Sequence, residues 1–206
     1  EPFLTKDELI DAFGKHYLIV DKEAIEIILA TVVGNLIGGD PLWMLLVGAS
    51  SSGKTELLNM FIDHANTLFI SKITENTLLS CFSGIKEGDN LLDDMTDKMV
   101  FIKDLAPILG LNRDKQSVIM SDLRDAYDGY VYKFCGAPNP LTMRRLKREW
   151  CGKFGLIAAA TPAIEGQMEK FAELGERYIR VDFQVDEKRI ELAERAVRGS
   201  GLEEQT

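Results

Sequence analysis

Eight consecutive residues, Gly48-Ala-Ser-Ser-Ser-Gly-Lys-Thr55, limit the fold more than any other part of the chain. The apolar run Leu42-Trp-Met-Leu-Leu-Val47 leads into them. After them Glu56, Leu57, Leu58, Met60, Phe61 and Ile62 mix polar and apolar positions at helical spacing through about His64. A short buried strand passing at once into a helix leaves the loop at a sheet edge. Gly48 and Gly53 let the backbone bend without side-chain clashes, so that successive N–H groups can face one anion, helped by the positive end of the helix. Such a loop wraps a phosphate. It predicts that Gly48, Ala49, Ser50, Ser51, Ser52, Gly53, Lys54, Thr55 and Glu56 bind a nucleotide, with Lys54 reaching the β- and γ-phosphates and the Thr55 hydroxyl ligating magnesium. The ligands expected are ATP and Mg2+. The plainer alternative is a Ser-rich connecting turn.

Around this loop the pattern is that of one α/β domain. Ile25, Ile28, Leu29, Val32 and Leu36 are spaced to share one helical face, Asp21 is placed to cap that helix, and Gly38-Gly39-Asp40-Pro41 stops it. Runs of strand length recur at Leu68 to Ile73, Met99 to Ile102, Leu156 to Ala160 and Tyr178 to Phe183, with helix-like stretches between. Strands alternating with helices predict a mainly parallel five-stranded sheet covered on both faces. No apolar run approaches the ~20 residues of a membrane helix, so no membrane partner is expected. A net charge of −9 argues against a surface that attracts nucleic acid everywhere, while leaving room for a local basic patch. Cys81, Cys135 and Cys151 are odd in number and lack paired zinc spacing; they read as buried reduced thiols, which points to the cytoplasm. Glu1 is not a start residue, and the chain reads as a mature or trimmed one.

A magnesium nucleotide needs a second anchor, and an apolar strand ending in a carboxylate supplies it at the sheet's C-terminal edge. Met99-Val-Phe-Ile-Lys-Asp104 has that form, which makes Thr55 and Asp104 the expected metal ligands. Position 105 is Leu, where many ATPases of this kind carry a Glu to polarise the attacking water. Glu75, just beyond the second strand, is the substitute expected for that work.

With these parts in order, residues 20 to 190 resemble the AAA+ branch of P-loop ATPases. The resemblance implies a three-layer P-loop fold over 21–185, a helical extension at 1–20, and a C-terminal helix and polar tail at 186–206, too short for a full helical lid. It implies that Thr161, ending Gly155-Leu-Ile-Ala-Ala-Ala-Thr161, acts as the sensor that holds water or the γ-phosphate. It implies that Arg177, before Tyr178, is the finger inserted into a neighbouring subunit's nucleotide, so that a homo-oligomer is expected; the alternative is a surface salt bridge with Glu173 or Glu176. The segment between Asp104 and Thr161 resembles the hairpin that some AAA+ groups place before the sensor strand. There Arg144, Arg145, Lys147 and Arg148 would contact DNA phosphates, the alternative being a solvated charged face or a contact to an acidic neighbour. The function implied is an ATPase that couples ATP hydrolysis to assembly or to work on a DNA or protein partner. The alternatives are a small-molecule or nucleotide kinase and a nucleotide switch with negligible hydrolysis, the latter favoured by Leu105.

Overall fold

The computed structural model describes residues 5–16, 21–50, 52–82, 88–137, 145–167 and 177–183. Helix α1, Lys6–His16, is followed by α2, Lys22–Leu36, which begins at Asp21; the Asp21 side chain accepts from the Ala24 N–H at 2.9 Å. That cap satisfies one of the unpaired N–H groups every helix start exposes. The helix delivers the chain to β1, Trp43–Val47. Then come α3, Lys54–Asn59, and β2, Thr67–Ile70. Helix α4, Leu91–Met95, leads into β3, Met99–Ile102, and α5, Ala106–Leu109, into α6, Arg113–Tyr127. A hairpin of β4, Tyr130–Cys135, and β5, Leu146–Cys151, precedes β6, Gly155–Ala160. A 3-10 turn at Pro162–Gln167 and β7, Tyr178–Asp182, complete the described elements.

Five strands form one sheet in the order β2-β3-β6-β1-β7, and its four ladders are all parallel; β4 and β5 pair antiparallel as a separate ribbon. Alternation along β1 divides the interior. Trp43, Leu45 and Val47 join a cluster with Leu92, Met95, Ile108, Ile119, Met120 and Leu123, so α4, α5 and α6 cover one face. Met44 and Leu46 join a second cluster with Ile10, Ala24, Ile25, Ile28, Leu57 and Leu58, so α1, α2 and α3 cover the other. Helices on both faces explain why β1, β3 and β6 are buried at every position. Each large side chain so buried contributes about 1.5–3 kcal/mol. Trp43 also closes the far edge: its indole N–H donates to the Phe154 carbonyl at 2.9 Å, and its ring lies 5.2 Å from Tyr127 and from Phe154.

Three expectations need correction. Leu36 is 61% exposed rather than part of the core face, because the end of α2 is held by a polar residue instead: Asn35 accepts from the Leu42 N–H at 2.9 Å and donates to the Leu42 carbonyl at 3.0 Å. The helix after the loop stops at Asn59, short of His64. The remaining residues form turns, with Phe61 and Ile62 donating to the carbonyls three residues back. Most consequentially, Cys81 and Cys135 are joined by a disulfide, and Cys151 is an exposed thiol, so the reduced buried thiols expected do not exist at these positions. Topology is the reason: α6 and the hairpin return the chain to the segment before α4, bringing together cysteines 54 residues apart. The cytoplasmic expectation, which rested on reduced thiols, loses that support.

Candidate functional site

Because the sheet is parallel, β1, β3, β6 and β7 all deliver their last residues to one edge. Val47 is level with Ala160 and Asp182, and Ile102 with Ala158. The 48–53 loop therefore leaves the strand next to the one that ends at Thr161, and Asp104 follows the strand beyond that. Main-chain bonds tie the ends together: the Gly48 N–H donates to Ala160 O at 3.1 Å, the Leu105 N–H to Ala159 O at 2.9 Å, and the Phe183 N–H to Val47 O at 2.6 Å. A Cβ at Gly48 would lie 2.9 Å from the Phe183 carbonyl oxygen, a contact real side chains do not make, so position 48 must be glycine. Gly53 caps α3 at φ 90°, in the left-handed region that favours glycine.

Lys54 is buried, and its ammonium is drawn back onto the loop. It donates to the Gly48 carbonyl at 2.7 Å, the Ala49 carbonyl at 2.6 Å and the Ser52 hydroxyl at 3.2 Å. All three acceptors are neutral. Burial lowers the pKa of Lys54, and the negative charge of Asp104 partly opposes that effect, which marks the two groups as electrostatic neighbours. Asp104 is exposed, and one of its carboxylate oxygens accepts from the Ala106 N–H at 2.9 Å, which orients it at the start of α5. Thr55 and Glu56 are exposed on the first turn of α3. Among the loop amides, Gly48 faces Ala160 and Ser52 donates to Ala49 O at 3.3 Å, so those two point to backbone; Ser51 lies outside the described residues. Among the described residues no three His, Cys, Asp or Glu side chains gather to hold a metal ion. One hydroxyl and one carboxylate nonetheless suit magnesium, which keeps several waters and takes further ligands from phosphates.

The other residues singled out by sequence are scattered. Thr161 is half-buried beside the loop's strand, and its carbonyl accepts from the Ile164 N–H at 3.0 Å, opening the 3-10 turn. Glu75 forms an ion pair with Lys115 at 3.3 Å. Arg177 precedes β7 and so sits at the opposite edge of the sheet from its own loop, roughly 16 Å of strand away. There its guanidinium pairs with Asp128 at 2.9 Å and lies over the Tyr127 ring. Lys147 on β5 is held by Glu149 at 2.6 Å and donates to the Tyr130 hydroxyl at 2.8 Å, an arrangement that raises its pKa well above the usual lysine value. Arg145 is exposed and Arg148 half-buried, while Arg144 lies outside the described residues. A cavity of about 730 Å³ opens among Asn35, Pro41, Asp97, Asp128, Cys151 and Lys153; it lies at the far edge from the 48–53 loop and shares no residue with it.

Sequence reasoning missed what holds the hairpin. Lys133 pairs with the buried Asp122 at 2.5 Å and also donates to the Glu75 carbonyl at 3.2 Å. Burial raises the pKa of Asp122 and Lys133 counters it. Trp150 donates to the Thr96 hydroxyl at 3.0 Å. The signal was present in the alternation of Tyr130 to Cys135, whose inward positions carry Val131, Lys133 and Cys135. No helix among the described residues is long and apolar enough to cross a membrane. No protein-family model matches the chain, and no curated protein matches it in sequence.

Proposed function

We propose that this chain binds Mg-ATP at residues 48–55 and hydrolyses it as a P-loop ATPase of AAA+ type, coupling the cycle to assembly or to work on a DNA or protein partner. The observation that carries the reading is Lys54, a buried ammonium at the carboxyl edge of a parallel sheet, whose hydrogen bonds among the described residues go to two loop carbonyls and a serine hydroxyl. A cation stored on neutral acceptors gains by exchanging them for phosphate oxygens, since charge-assisted bonds are roughly twice as strong as neutral ones. The donor set around it fits the nucleotide: Thr55 and Asp104 would hold magnesium, which when bound neutralises charge on the phosphates. Thr161, at the end of the strand between the loop and Asp104, would orient water. Arg177 is too far from its own loop to serve it, so in this reading it acts on a neighbouring copy's nucleotide and leaves Asp128 to do so.

A second reading is a nucleotide switch with negligible turnover, and a specific observation favours it. Leu105 is 2% exposed with its N–H committed to Ala159, so the residue after the strand carboxylate brings no base to the site, and Glu75 is occupied by Lys115. Phosphate release measured across protein concentration, with and without DNA, separates the two. Concentration-dependent release without an acceptor supports the ATPase, while tight ATP binding without release supports the switch. If Lys54→Ala leaves ATP affinity and turnover unchanged, the loop assignment is wrong.

A further inference from the structure

The hairpin turns one face inward and leaves the other bare. Val131, Cys135 and Trp150 are buried, whereas Tyr130, Tyr132 and Phe134 are 43%, 53% and 58% exposed. Three aromatic residues at every second position of one strand form a ladder, with centroids 5.7 Å apart from Tyr130 to Tyr132 and 6.0 Å from Tyr132 to Phe134. Solvent-exposed rings in such a row cost free energy unless something covers them. Among the described residues nothing does, and the hairpin is anchored through its other face by Lys133 and the Cys81–Cys135 bond.

Charge indicates what covers it. Between residues 130 and 151 there are five lysines and arginines against one glutamate, in a chain whose net charge is −9; Lys133 and its cross-strand partner Arg148 belong to the inward face and Arg144 lies outside the described residues, which leaves Lys147 and the exposed Arg145 on the side of the rings. A protein surface complementary to the ladder would only need to be apolar; two cations beside flat rings suit a polyanion that also offers flat rings. Duplex DNA hides its base faces, and single strands expose them. The ammonium of Lys147 lies 5.3 Å from the Tyr132 centroid and 5.5 Å from that of Tyr130, so a phosphate contact and a stacking face sit side by side. In the structure Glu149 neutralises that ammonium, and the carboxylate has to be displaced for a phosphate to bind there.

We propose that Tyr130, Tyr132 and Phe134 form a stacking platform for single-stranded nucleic acid, with Lys147 and Arg145 at its side and Glu149 restraining Lys147. This deepens the proposed function by naming the partner's class, and it rests on that reading only for the coupling to ATP; strand binding by the hairpin stands without nucleotide.

The test uses the full chain and a fluorescent oligothymidylate of 20 nucleotides, titrated without nucleotide at several salt concentrations, with thermal melts to verify folding. Tyr132→Ala and Phe134→Ala should each weaken binding by about tenfold while leaving the salt slope unchanged, since stacking releases no counterions. Tyr132→Phe should bind like the parent. Glu149→Gln should tighten binding severalfold and steepen the salt slope by about 0.7, the value of one added phosphate contact on a single strand. Lys54→Ala should bind the oligonucleotide normally, so failure of the ATPase reading and failure of this one give different results. The proposal is overturned if the parent protein does not bind the strand at low salt, if the alanine variants bind as tightly as the parent, or if those substitutions change only the oligomer mass, which would assign the ladder to a second copy of the chain.

Discussion

The guanidinium of Arg177 spans both carboxylate oxygens of Asp128, with its terminal nitrogen at 3.1 Å from one and 2.9 Å from the other. The bond joins the start of β7 to the end of α6. It separates two roles for the arginine. As a tie within one protomer and partly exposed to solvent, the pair contributes no more than about 1 kcal/mol. Arg177→Ala and Asp128→Ala should then lower stability by similar small amounts. As a finger acting between protomers, only Arg177→Ala should abolish phosphate release while retaining ATP binding, and mixing it with Lys54→Ala protein should restore part of the activity. Equal loss of turnover in Asp128→Ala would assign the effect to the tie.

Lys54 offers a prediction about affinity. Exchange of the Gly48 and Ala49 carbonyls for phosphate oxygens should add about 1.5–3 kcal/mol, so Lys54→Met, which keeps the buried stem, should weaken ATP binding by roughly 10- to 150-fold. Calorimetric titration with ATP checks this. Because burial lowers the lysine's pKa, the charge is lost at less alkaline pH than for an exposed lysine, and ATP affinity should fall as pH rises toward 10.5 from below.

The Cys81–Cys135 bond closes a loop of 54 residues, for which chain-entropy arguments give about 4 kcal/mol as an upper figure. Reductant, or Cys81→Ser, should lower unfolding stability by about 2–4 kcal/mol in denaturant titrations. Cys151→Ser should have no such effect, because that thiol is exposed and unbridged.

Asp122 should give stability a recognisable pH dependence. Its native pKa lies above the unfolded value of 3.8, so the folded state holds the proton more tightly. Its contribution is therefore greatest below 3.8 and declines as pH rises through the raised native value. Asp122→Asn should flatten that slope in pH-dependent melts. Lys133→Met removes the opposing cation, extends the decline to higher pH, and costs about 1.4 kcal/mol for each further unit.

Much of the framework was legible because it is local. The apolar runs at 99–102 and 156–160, the cap at Asp21 and the glycines flanking Ala49 to Ser52 each impose their geometry within a few residues. What escaped depends on distant partners. Nothing near Cys81 announces Cys135, because the pairing needs α6 and the hairpin to fold back first. Lys133 reads as one polar residue in a strand until Asp122 faces it from the helix. Leu36 satisfies the helical spacing and is exposed because Asn35, one residue before it, has the better partner in Leu42. In the candidate site the loop itself was visible, but the inward return of Lys54 and the capture of Glu75 by Lys115 are tertiary events that spacing does not encode.

The two-sided packing of β1 has a consequence for how tightly the chain's reading frame is set. Odd and even side chains of Trp43 to Val47 belong to different cores, so removing one residue there would send every following side chain into the wrong layer. The same slip would carry Gly48 out from beneath the Phe183 carbonyl and bring a residue with a side chain into its place. Insertions and deletions in this strand are thus excluded by packing before any ligand is considered, and the position of the loop is inherited from the cores on either side.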